Sequence, residues 1–171
     1  TCTTPAGSGT ASNVIVTNTT DGQTGSLGID YKPKPVISTA TTTAGAYGKT
    51  TGAETVTITG TGFFDDIGAP VVTIGSTTCI TPVVTPTQIT CTTSGGNAAA
   101  NVSVTILNAD GQTDTLAGGF TYTNAPTYIS VTPSSGASVG GTSIVIAGSN
   151  FITGTTVDIG GNACLSLTVD T

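Results

Sequence analysis

The sequence repeats itself, and the repeat is the size of a domain. TCTTPAG at Thr1–Gly7 returns as TCTTSGG at Thr90–Gly96. TNTTDGQTGSL at Thr17–Leu27 matches LNADGQTDTL at Leu107–Leu116 with one residue of slippage, after which Ile29 and Tyr31 fall on Phe120 and Tyr122. In the other direction, VTITGTGF at Val56–Phe63 matches IVIAGSNF at Ile144–Phe151. VTIGSTTC at Val72–Cys79 likewise matches VDIGGNAC at Val157–Cys164. The spacing is about 85–89 residues, so the chain carries about two periods. Their phase is offset. Residues 1–34 correspond to the back half of a unit, residues 35–125 to one whole unit and residues 126–171 to the front half of another.

Within the whole unit the pattern is that of strands. Pro35–Thr39 reads as a short first strand. Glu54–Gly60 alternates Val56 and Ile58 with threonine, and Pro70–Ile74 continues the sheet. Cys79–Val84 and Gln88–Thr93 read as a hairpin around a TPT turn. Asn101–Leu107 alternates Val102, Val104 and Ile106 before an Asn-Ala-Asp-Gly turn, and Gly119–Thr123 closes the unit. About seven short strands with turn signals every 8–12 residues is the pattern of an immunoglobulin-like sandwich. No stretch sustains a helical period. The expected class is therefore all-β: tandem Ig-like sandwiches, one complete unit flanked by two half units.

Composition narrows the function. The 171 residues carry a net charge of −6, and only 7% are charged. Lys32, Lys34 and Lys49 are the only cations, which leaves no basic footprint for nucleic acid. No apolar run approaches the roughly 20 residues of a membrane-spanning helix. His, Met, Trp and Arg are all missing, so catalysis has little to work with and no cofactor or catalytic residue is expected. Asp65–Asp66 offers carboxylates to Ca²⁺ but reads better as a solvated loop tip, so no metal site is expected. Asp21–Thr24 and Asp110–Thr113 (both DGQT) read as Asp-Gly turns rather than metal motifs. Asn18 and Asn101 begin N-x-S/T sequons and are candidate glycosylation sites.

The motifs PTYISVTPSSGASVGGTSIVIAGSNF, VTIGSTTC, ITCTT and VTILNADGQTDTLAGGFTYT occur in the order found in IPT/TIG domains. The chain resembles that family: the Ig-like modules of plexins, Rel-type transcription factors and many bacterial surface proteins. The resemblance covers nearly the whole chain. It implies an Ig-like fold and a binding or spacer role. Two stretches depart from the pattern: Ser38–Thr55 is longer than its counterpart Ser130–Ser143, and FFDDIGAP at Phe63–Pro70 adds about three residues over FITGT.

Cys79 and Cys91 flank the TPT turn, and an antiparallel hairpin would bring them within disulfide range. The resemblance implies the same arrangement, worth about 3 kcal/mol for so small a loop. The alternative is two buried free thiols. Cys164 occupies the Cys79 position of the front half, and Cys2 the Cys91 position of the back half. Each is expected to bond its counterpart in the adjacent copy. Such pairing needs an oxidising, extracellular setting.

A half sandwich leaves an open sheet edge and an apolar face, and should not be stable alone. Completion by a neighbouring copy answers this. The chain is then either a segment of a longer tandem polypeptide, which we prefer, or one of many chains joined head to tail. A third option, in which 1–34 and 126–171 meet within one chain, needs the ends to fold back around the central unit, which a rod-like array makes awkward. A contact that does not close on itself builds a filament in either of the first two cases. The partners expected are therefore neighbouring copies of itself, on the cell surface, in a fibre, stalk or adhesin. The competing expectation is a binding module that recognises a cell-surface protein or glycan through loops such as Tyr47–Thr51 or Phe63–Pro70. A third is an accessory domain of a secreted carbohydrate-active enzyme.

Overall fold

The computed structural model describes residues 1–7 and 12–170, and every described element is a β-strand. The first two strands, β1 (Ser12–Thr17) and β2 (Thr24–Ile29), form a two-stranded antiparallel hairpin. The central stretch holds nine: β3 (Val36–Thr41), β4 (Tyr47–Lys49), β5 (Thr55–Thr61), β6 (Val71–Ile74), β7 (Thr77–Thr78), β8 (Ile80–Thr85), β9 (Gln88–Thr92), β10 (Ala99–Leu107) and β11 (Thr113–Thr123). The remaining four are β12 (Thr127–Thr132), β13 (Val145–Ser149), β14 (Asp158–Ile159) and β15 (Asn162–Ala163). The chain divides into two compact units, Thr1–Tyr122 and Thr123–Thr171.

In the first unit, a four-stranded sheet of order β3-β5-β9-β8 faces a five-stranded sheet of order β4-β11-β10-β6-β7. Alternation along each strand supplies the core. Val56 and Ile58 come from β5, Ile89 and Cys91 from β9, Val72 and Ile74 from β6, Val104 and Ile106 from β10, and Phe120 and Tyr122 from β11. Threonines on the intervening positions face outward and bond across strands, as Thr39 does to Thr59 (2.7 Å) and Thr105 to Thr115 (3.0 Å). Phe120 and Tyr122 meet edge to face, with ring centroids 5.3 Å apart. This is the Ig-like sandwich expected.

The structure adds to the strand reading in three places. β4 lies in the long Ser38–Thr55 stretch, where Gly48 and the run of Thr and Ala hide any alternation. There it pairs with β11, and its glycine leaves room for the Phe120 ring, which a Cβ would meet at 2.6 Å. β11 begins at Thr113, not Gly119. The Gly118–Gly119 pair, with Gly118 at φ 64°, reads as a break in sequence but is accommodated within the strand. Cys79 is not in a strand. It sits at the crossover between β7 and β8, where its N–H donates to the Val72 carbonyl of the opposite sheet (2.8 Å).

Residues 1–34 contain no buried residue among those described. Tyr31 donates its hydroxyl to the Pro5 carbonyl (3.0 Å), and its ring lies over Gly7 as Tyr122 lies over Gly96. Lys32 pairs with Asp66, and the Gln112 amide donates to the Lys32 carbonyl (3.0 Å).

The second unit holds two hairpins, β12–β13 and β14–β15. None of its described residues is buried.

Candidate functional site: apolar faces of the half units

The strand pairs of residues 1–34 and 126–171 copy pairs of the central sandwich. β12–β13 pairs Thr127 with Ser149, Tyr128 with Gly148, Ser130 with Ala147 and Val131 with Ile146. β3–β5 pairs Val36 with Thr61, Ile37 with Gly60, Thr39 with Thr59 and Ala40 with Ile58. The register slips at the same place, after Tyr128 in one and after Ile37 in the other. Close backbone approach explains the shared glycine there. A Cβ on Gly60 would lie 2.0 Å from the Val36 carbonyl oxygen, and one on Gly148 would lie 2.0 Å from that of Thr127. The next corner is left-handed in both, at Gly62 (φ 73°) and Asn150 (φ 61°). Cys164 donates its N–H to the Val157 carbonyl (2.8 Å), as Cys79 does to Val72.

The β1–β2 hairpin repeats β10–β11 equally well. Val14 pairs with Leu27 and Thr17 with Thr24, against Val104 with Leu116 and Leu107 with Thr113. Both turns are built the same way. The asparagine carbonyl accepts from the glycine N–H (Gly22 to Asn18, Gly111 to Asn108, each 2.9 Å). The aspartate Oδ1 accepts from the glutamine N–H (Gln23 to Asp21, 3.1 Å; Gln112 to Asp110, 3.0 Å). DGQT is thus a turn device, as read from sequence.

The difference is in burial. Val104 and Ile106 are fully covered, at 0% exposure, whereas their equivalents Val14 and Val16 are 42% and 66% exposed. Ile37 is 7% exposed and Tyr128 79%; Ile74 is 1% exposed and Ile159 55%. The apolar positions have the same spacing in each case, and among the described residues those of 1–34 and 126–171 are left uncovered. Exposed apolar surface that forms a continuous stripe marks an interaction surface.

Cys79 and Cys91 are bonded, with Cα atoms 5.7 Å apart, and both belong to the core. Because Cys79 is anchored to β6 and Cys91 lies on β9, the bond joins the two sheets and does more than close a hairpin. Cys2 is a free, exposed thiol and Cys164 a free, half-buried one.

Asn18 is exposed in the β1–β2 turn. Asn101 is exposed on β10 at φ 57°, beside the register shift of that strand. Asp65 and Asp66 are exposed, and Asp66 is paired to Lys32, which also lies 5.5 Å over the Phe64 ring. Their hydrogen bond, opposed by the cost of desolvation, raises the Lys32 pKa and lowers that of Asp66. Of the aromatic residues in the candidate binding loops, Phe63 is core and Tyr47 is exposed.

Sequence reasoning missed Asn108. It is fully buried and donates its side-chain N–H to the Gly62 carbonyl (2.9 Å), tying the β10–β11 turn to the corner after β5. Its signal was an Asn kept before both Asp-Gly turns despite the one-residue slip.

An Ig-like sandwich with a sheet-to-sheet disulfide, flanked by strand pairs that repeat its own, defines a module of the binding or structural kind. The chain matches the IPT/TIG domain family over residues 35–123 and 126–171, and it belongs to that family of Ig-like, non-catalytic domains. No curated protein matches it. The disulfide and the domain are compatible with an extracellular location. No described helix is long and apolar enough to cross a membrane.

Proposed function

We propose that this chain is a structural repeat segment of an extracellular cell-surface fibre, stalk or adhesin, built from Ig-like domains joined head to tail. In this reading, 1–34 is the C-terminal half of one IPT/TIG unit and 35–125 a complete unit. Residues 126–171 are the N-terminal half of a unit that the next copy completes.

One observation supports it above the others. Strand pairs that reproduce the central sandwich residue by residue leave exposed the apolar positions that the central sandwich buries. Burying such a side chain is worth about 1.5–3 kcal/mol, and several lie on each face. Low charge and outward-facing threonine suit a shaft that interacts weakly along its length. The links at Tyr31–Ile37 and Tyr122–Ile129 are short and carry proline, which favours semi-rigid spacing.

Negative-stain microscopy of native material tests the reading. Long filaments with a repeat of one or two domains are expected. Discrete globular particles would overturn it.

A further inference from the structure

We propose, building on that reading, that the β1–β2 hairpin of one copy completes the 126–171 half sandwich of a second copy in the register of the central unit. Asn18 becomes an internal tie, and a Cys2–Cys164 disulfide locks the joint. The central unit is the template. There β10 sits between β11 and β6, pairing Val104 with Ile74, Thr105 with Thr73, Ile106 with Val72 and Leu107 with Val71. Carried over position by position, Val14 meets Ile159, Ile15 meets Asp158, Val16 meets Val157 and Thr17 meets Thr156 of the second copy. β1 and β14 each have one partner, β2 and β15 respectively, so the edges that must join are available among the described residues.

Three local features are set for the joint. Cys91 lies opposite Val56 across β9 and β5, so Cys2 falls opposite Ile144, beside β13. The Cys164 backbone is already held as that of Cys79 is, and Cys2 needs only to arrive. Asn108 reaches the corner at Gly62, so Asn18 is placed to donate to the carbonyl of Asn150 at the equivalent left-handed corner. A sugar on Asn18 would block that contact. The Asn18 sequon is therefore read as part of the joint and not as a glycan acceptor. Disulfide formation takes two electrons and two protons from the thiols of Cys2 and Cys164. A small-molecule disulfide such as oxidised glutathione accepts them and leaves as two thiols.

The test mixes two variants, Cys2→Ser and Cys164→Ser, with oxidised glutathione. Each variant alone should form no disulfide-linked dimer. The mixture should give a heterodimer whose peptide map contains one Cys2–Cys164 link, and the unsubstituted chain should give a ladder. Adding Val16→Asp to the Cys164→Ser copy should lower the heterodimer yield at least about tenfold, because it puts an unpaired charge into the joint. Val16 is exposed in the separate chain, so that chain's own melting should not move. Homodimers through one cysteine, free thiols in the mixture, an internal Cys2–Cys164 link within one chain, or a glycan on Asn18 in native protein would each overturn the proposal. Filaments lacking the Cys2–Cys164 bond would overturn this joint and leave the fibre reading standing. Cross-linked pairs in native material that holds only discrete particles would do the reverse.

Discussion

The complete unit and the segment 126–171 share registers, a bulge, a corner and an anchored cysteine, yet one has a core and the other has no buried residue among those described. Ile58 and Ile146 occupy the same place in the same strand pair. Ile58 is fully buried because β9 and the opposite sheet cover it, whereas Ile146 is only half-buried beside β12. The contrast separates two things usually seen together. Local pairing is set by a strand and its hairpin neighbour. Burial depends on strands far along the chain. Hairpins of this kind are marginal by themselves, and a third strand or a second layer is needed for independent stability.

Matched substitutions test the contrast, and the largest effect is in the core. Ile106→Ala should cost about 2–5 kcal/mol in denaturant unfolding, through lost transfer energy and the cavity left behind. Val16→Ala at the equivalent position should change the stability of the separate chain by less than about 0.5 kcal/mol. If the two costs were equal, β1 would already be covered and the comparison would fail. Next comes the disulfide. Replacing Cys79 and Cys91 together with Ser should cost about 3 kcal/mol. Replacing Cys2 and Cys164 should leave the unfolding midpoint of the reduced, separate chain where it is.

Asn108 sharpens the comparison at a polar position. Asn108→Ala removes the bond to the Gly62 carbonyl inside the core and leaves that acceptor without its donor. The cost should be about 1–3 kcal/mol. Asn18→Ala, with the side chain in solvent, should stay within about 0.5 kcal/mol. Unfolding curves of the two variants, measured side by side, check this.

These contrasts mark what could be read from the sequence. Alternation identified β5 and β10, and internal alignment matched the flanking strand pairs to those of the central unit, because both signals are local or self-referential. Asp-Gly turns likewise announce themselves. What stayed hidden depends on distant partners. The β8–β9 register would set Pro82 opposite Cys91, and only β6, in the other sheet, explains why Cys79 sits at a crossover. β4 has no pattern of its own and exists because β11 offers an edge. Asn108 looks like any turn asparagine until the corner after β5 closes over it. Cys79 and Cys91 could be paired from their positions around a turn, whereas the pairing expected of Cys2 and Cys164 rests on analogy with them.

The smallest effect concerns a contact between the segment 1–34 and the lengthened loop of the complete unit. Lys32 and Asp66 pair on the loop that is lengthened at Phe63–Pro70, and no aspartate follows Phe151 in the shorter loop of the second unit. Asp66 is exposed and Lys32 is half-buried, so the pair is partly screened and its contribution to stability is slight and falls with salt. Its pH dependence still has a definite sign. The lowered Asp66 pKa means that its contribution is present above the ordinary carboxylate range and is lost as pH falls through the folded value. The raised Lys32 pKa means that the contribution is present below the ordinary lysine value and is lost as pH rises through the folded one. Neutral solution lies inside both limits. An NMR titration should find the Asp66 carboxyl titrating below its ordinary midpoint, with Lys32→Met or high salt returning it there. A midpoint unmoved by Lys32→Met would show that the pair does not hold in solution. The lengthened loop would then be anchored by its backbone, through the Gly68 N–H bond to the Asp65 carbonyl, and by nothing ionic.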